Sequence, residues 1–319
     1  MNSVGPRPLA SLLARHGPPP VSLRDRAEQT AAVLPPLLVA AERIAANVAQ
    51  GVHGRRRVGQ GETFWQFRQY MPGDAASRID WRKSAKSQRL YVRETEWEAA
   101  QSVWLWRDAS ASMDYTSTGY VVGADWPAKR ERAELLLVAL ASLLVRGGER
   151  LTLLGSGMAP VGGRMALSRV VELIARGHAG ADEPLGLPAF EPLPRAGQLV
   201  LIGDFLAPLE AVNAALARFA GAGLNGHLLQ VVDPAEEDLP FDGHVKFEGL
   251  EAEGQHTIRR VEAVRTAYGA RLAAQKEGLQ CLTRSTDWTV HLHRTDKPPQ
   301  TVLLSLYLAM ADLRRLSVA

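Results

Sequence analysis

From Ser102 onward the chain alternates short apolar runs with amphipathic stretches, and this alternation constrains the fold more than any other property of the sequence. Val103-Trp104-Leu105-Trp106 is apolar at every position, as a parallel strand covered on both faces should be. Further strands are expected at Leu151 to Leu154, Leu199 to Ile202, His227 to Val232 and Trp288 to Leu292. A helix should start near Asp125-Trp126-Pro127, with Asp125 as N-cap, and stop at Gly147-Gly148. Others are expected over Ala166 to Arg176, Leu209 to Phe219, Gln255 to Glu277 and Gln300 to Leu313, with a short edge hairpin over Phe241 to Phe247. Strands alternating with helices predict an α/β fold: a doubly wound, mostly parallel sheet with helices on both faces.

The part before Ser102 reads differently. Arg24 to Gln50 has helical spacing on either side of Pro35-Pro36, and Leu37, Leu38, Ala41, Ile44, Ala45 and Val48 form its apolar stripe. Gly54 to Trp97 is rich in glycine breakers and aromatics, which predicts short strands at Thr63 to Tyr70 and Leu90 to Glu94 around a turn at Met71-Pro72-Gly73-Asp74. The organisation expected is a tail and helical region over 1–53, a β-rich segment over 54–101, and the α/β domain with a C-terminal extension over 102–319.

Asp108-Ala109-Ser110-Ala111-Ser112 follows directly on the first α/β strand, so one tight turn offers a carboxylate and two hydroxyls. A hard cation such as Mg²⁺ takes about six oxygen ligands and suits such a turn. Asp204 follows the later strand Leu199 to Ile202. In an open parallel sheet both carboxylates would reach the carboxyl edge, where ligands bind.

With these residues in place, the chain resembles a von Willebrand factor A domain with its metal-ion-dependent adhesion site. Upstream, Gly61-Glu62-Thr63-Phe64, Arg68-x-Tyr70-x-Pro72-Gly73-Asp74, Arg78-Ile79-Asp80-Trp81, Ala85 and Val92-Arg93-Glu94 sharpen the likeness. Their order is similar to a bacterial family of unknown function built on that domain, whose members are often encoded beside MoxR-type AAA+ ATPases. The match runs from Gly54 to Val232.

The resemblance implies that Ser110 and Ser112 ligate Mg²⁺ through their hydroxyls, that Asp108 and Asp204 hold it directly or through water, and that a partner's acidic side chain completes the shell. The threonine usual in such sites has no counterpart in the loop Gly177 to Pro188, which leaves Asp182, Glu183 or a water as donor. Arg107 stands where an apolar residue is usual, and its guanidinium could compete with a cation for Asp108. Arg68, Tyr70, Gly73, Asp74, Arg78, Asp80 and Trp81 are the implied partner-binding residues. The implied role is that of a non-enzymatic interaction module, an adaptor or chaperone-like partner of a MoxR-type ATPase acting on a client protein.

Other readings carry less. A divalent-metal hydrolase could use the same carboxylates, but no nucleophile or positioned base accompanies them. The segment 55–93 is basic, yet Arg78-Ile79-Asp80-Trp81 mixes charges too closely for a phosphate stripe, which argues against nucleic acid. His291-x-His293 lacks a third zinc ligand, Gly155-Ser156-Gly157 lacks the frame of a nucleophile turn, and no phosphate-binding P-loop is present. A lone cysteine, Cys281, rules out an intrachain disulfide and reads as a small core residue. No apolar patch reaches the roughly 18 residues of a membrane span, so the expected location is the cytoplasm.

Overall fold

The computed structural model describes residues 39–46, 48, 58–71, 74, 77, 79–87, 89–96, 101–177, 186–195, 197–250 and 254–316. Its centre is a five-stranded sheet of β3 (Ser102–Arg107), β4 (Arg150–Leu153), β5 (Gln198–Gly203), β6 (Asn225–Val232) and β9 (Thr289–Arg294). The spatial order is β4-β3-β5-β6-β9, and every neighbouring pair is parallel. Parallel strands need crossovers, and the helices between them cover both faces.

Alternate residues of each strand feed two separate cores. Val103, Leu105, Val200, Ile202, Leu229 and Val231 pack with α3 (Lys129–Arg146), α4 (Arg164–Ala175), α8 (Pro299–Leu316) and α1, which is helical over residues 39–46. Trp104, Trp106, Leu199, Leu201 and Leu228 pack with α5 (Leu209–Gly221) and α7 (Val261–Ser285). In α3 the whole run Leu136 to Leu144 is buried, which is possible because α4 and α8 also lie against it. The N-terminal stripe Ala41, Ile44, Ala45 and Val48 belongs to that same core, so this helix is part of the α/β body.

A second, two-stranded antiparallel sheet joins β1 (Val58–Gln69) to β2 (Tyr91–Glu96), with the single turn α2 (Trp81–Ser84) between them. A third pairs β7 (Val245–Glu248) with β8 (Gln255–Ile258), after the short α6 (Pro234–Asp238).

Three sequence expectations need correction. Helix α3 begins at Lys129 with Ala128 as its N-cap, not at Asp125, because residues 116–126 are tied into a loop in which the Thr118 hydroxyl donates to Trp126 O and accepts from Trp126 N. Gln255 to Ile258 is a strand rather than the start of α7, since Gly254, at φ +87°, turns the chain back onto β7. Cys281 is exposed instead of buried: Leu279 and Thr283 are the buried residues of that stretch of α7, and position 281 falls between them on the opposite side.

Candidate functional site

The strand order fixes where a site can form. From β3 the chain crosses to β4 on one side, then returns past β3 to build β5, β6 and β9 on the other. The loops after β3 and β5 therefore diverge, opening a crevice at the carboxyl edge between two adjacent strands, the usual ligand position in open α/β sheets. Asp108 follows β3 and Asp204 follows β5. Their strands are paired up to Arg107 opposite Ile202, and Asp108 N donates to Ile202 O at 2.8 Å.

Four of the expected residues meet at this crevice. The Asp108 carboxylate, fully buried, accepts from Ser110 N at 2.8 Å and so shapes its own loop. The Ser110 and Ser112 hydroxyls are 3.0 Å apart, and Ser112 Oγ donates to Asp204 Oδ2 at 2.7 Å. Asp204 is held in turn by its other oxygen, which accepts from Leu206 N at 3.2 Å, and by its carbonyl, which accepts from Gln230 Nε2 at 2.8 Å. Phe205, next in the chain, sits at φ +50°, a conformation costly for a bulky residue and typical of functional loops. Close approach needs glycines: a Cβ on Gly186, which has φ +57°, would lie 2.5 Å from Asp108 Oδ2.

Two basic residues at the start of α3 complete the site. Arg130 reaches back to Ala109 O and Ser110 O at 3.1 Å each and to Asp114, clamping the loop. Lys129 has no exposed surface; its ammonium donates to Asp204 Oδ2 at 2.9 Å and to Glu236 Oε1 at 2.5 Å. Glu236 is positioned by the capping box of α6, where its second oxygen accepts from Asp233 N. Burial alone would lower the Lys129 pKa, but the carboxylates of Asp204 and Glu236 outweigh it and raise it, so the ammonium stays charged. The Arg107 guanidinium pairs with Glu134 at 3.1 Å and donates to the carbonyl of Asp108 at 3.4 Å.

The crevice opens into a cleft of about 320 Å³ lined by Ser112, Tyr115, Asp204, Leu206, Glu236 and Leu250, among others. Leu206 and Leu250 are 42% and 47% exposed, and Leu250 comes from the turn of the β7–β8 hairpin. Neither Lys129 and Glu236 nor this hairpin is among the site residues expected from the sequence.

Whether a divalent ion fits can be judged from the donors. The hydroxyls and carboxylates are of the right chemistry, but Asp204 Oδ2 already carries the Lys129 ammonium. An ion bound to that oxygen at about 2.1 Å would stand within about 5 Å of Nζ. At an effective dielectric of about 20, charges of +2 and +1 about 4 Å apart repel by on the order of 8 kcal/mol. The residues present do not fit Mg²⁺ at Asp204.

Of the remaining expected residues, those that the structure describes lie elsewhere. Asp182 and Glu183, like Gly73, Arg78 and Arg55 to Arg57, fall outside the described residues. Arg68 makes two hydrogen bonds to Asp74, at 2.8 and 3.0 Å, while Tyr70 Oη donates to Asp74 O, so these three knit the turn after β1. Asp80 is the N-cap of α2 and accepts from Lys83 N. Trp81, in contrast, is 65% exposed. All of them belong to the β1–β2 segment rather than to the sheet that carries the crevice. His291 and His293 pack against α8, His291 Nδ1 lying 3.1 Å from Ser305 Oγ.

Fold and site together define a class: an open parallel α/β protein whose switch point gathers two buried carboxylates, two hydroxyls and a buried lysine beside a partly apolar cleft. The chain belongs to the family described as Protein of unknown function DUF58, whose model matches residues 66–278. It is 27% identical over 293 residues to uncharacterized proteins of Mycobacterium bovis and Mycobacterium tuberculosis, covering 88% of this chain and 90% of theirs. A crystal structure of the conserved hypothetical protein BatB from Bacteroides thetaiotaomicron is similar at 16% identity and a TM-score of 0.37, covering 67% of this chain and all of that one.

Proposed function

We propose that this protein is a non-enzymatic interaction module of von Willebrand factor A type, an adaptor between a MoxR-type AAA+ ATPase and a client protein. The observation that carries this reading is the convergence of Asp108, Ser110, Ser112 and Asp204 at the switch point, next to a cleft walled by exposed Leu206 and Leu250. Exposed apolar side chains beside fixed polar groups are the composition of a protein contact, in which the apolar area supplies affinity and the polar groups set register. Tyr120 and Val122, both exposed on the loop before α3, and Trp81 on α2 extend the apolar surface available to partners. The polar groups are mutually hydrogen-bonded before any ligand arrives, so binding costs little reordering.

The test is capture of a purified MoxR-type AAA+ ATPase from the same organism, with ATP, with ADP and without nucleotide. Leu206→Arg and Leu250→Arg, which alter exposed side chains only, should each weaken capture at least tenfold. No association in any nucleotide state would overturn the adaptor reading, and association unaffected by either substitution would move the contact away from the cleft.

A further inference from the structure

We propose that the crevice works without a divalent ion and that the ammonium of Lys129 is its permanently installed cation. The inference deepens the reading above, since it says by what chemistry that same site is held together. Three observations support it. Lys129 has no exposed surface, although a lysine is almost never fully buried unless paired. It is paired with two carboxylates from different elements, Asp204 after β5 and Glu236 on α6, which draws the α3 start, the β5 loop and the β6 loop to one point, as a shared metal would. The oxygen it occupies, Asp204 Oδ2, is the one to which Ser112 also donates, so the ammonium sits at the junction of the acidic and hydroxyl donors.

The geometry has a consequence for the ligand. A metal with an open position would recruit a partner's carboxylate, but a buried ammonium already engaged by two carboxylates offers no such position. What faces the cleft is instead oxygen: Ser112, Asp204 and Glu236, with Glu248 on the hairpin. The groups that complement such a wall are hydrogen-bond donors.

The proposal is tested on the full chain by calorimetric titration with MgCl₂ and MnCl₂ after chelation, and by the electron paramagnetic resonance of added Mn²⁺. The expected result is no saturable binding into the millimolar range, and a melting temperature identical in Mg²⁺ and in EDTA. Saturable binding that Asp204→Asn abolishes would overturn the proposal. In Lys129→Ala the vacated carboxylates should gain Mn²⁺ affinity; a folded variant indifferent to Mn²⁺ would overturn the claim that the ammonium holds a cation's place. If that variant does not fold, the wild-type titration decides alone. Because no partner is added, failure here leaves the adaptor reading standing, and failure of ATPase capture leaves this result untouched.

Discussion

Lys129 breaks a local rule, and the break is informative. A cation in the first turn of a helix opposes the macrodipole, which favours acids there. Ala128-Lys129-Arg130 puts two bases at the start of α3 with Glu131 as the only acid of that turn. In sequence such a pair looks like solvated helix surface, which is why the site was legible at Asp108, Ser110, Ser112 and Asp204 but not at the lysine between them. The carboxylates announce themselves by following apolar strands, whereas the partner of a buried lysine is settled only by tertiary contact. Breaking a buried pair leaves uncompensated charge, so Lys129→Met should cost about 3–5 kcal/mol, read as a lower urea midpoint at unchanged slope. Arg130→Met removes only the clamp on Ala109 O and Ser110 O and a partly exposed pair with Asp114, and should cost about 1 kcal/mol. Equal losses from the two variants would contradict the assignment of Lys129 as the holding group.

At the scale of elements, the strands were the most readable part because they are buried on both sides. The central strand β5 is buried at every position, and such a run admits few other readings. Boundaries set by side-chain capping inside a loop were less readable, as at α3, and so was the strand β8, whose four mostly exposed residues carry no hydrophobic periodicity. A close packing that sequence does not reveal is Gly226 on β6, where a Cβ would lie 2.0 Å from the Trp288 ring. Trp288 cannot easily retreat, being buried and donating from Nε1 to Leu224 O at 3.0 Å. Gly226→Ala should therefore destabilise by about 1–3 kcal/mol through overpacking. At Gly221, the last residue of α5, an added Cβ meets nothing within 4 Å, and alanine there should be neutral or stabilising by up to about 1 kcal/mol. Thermal unfolding of the two variants side by side checks both; equal melting temperatures would refute the packing argument.

For the whole molecule, the response to acid follows from what the sheet and α8 enclose. His293 on β9 is 3% exposed, and its Nε2 has no hydrogen-bond partner among the described residues. Burial lowers its pKa from 6.5 to about 4, nearby Arg132 pushes the same way, and Asp296 opposes. The folded chain thus keeps this imidazole neutral down to about pH 4, while the unfolded chain protonates it near 6.5. Between those values the unfolded state binds more protons, so stability falls as pH falls, and it is fully recovered above about 6.5. At 1.36 kcal/mol per unit, a gap of about 2.5 units amounts to about 3 kcal/mol. His291, also lowered by burial, adds to the loss in the same direction. His293→Gln removes the titrating group from a site that cannot solvate it charged, and so should flatten the dependence of melting temperature on pH between about pH 6.5 and about pH 4.5. Parallel curves for variant and wild type across that window would mean that the acid sensitivity arises elsewhere.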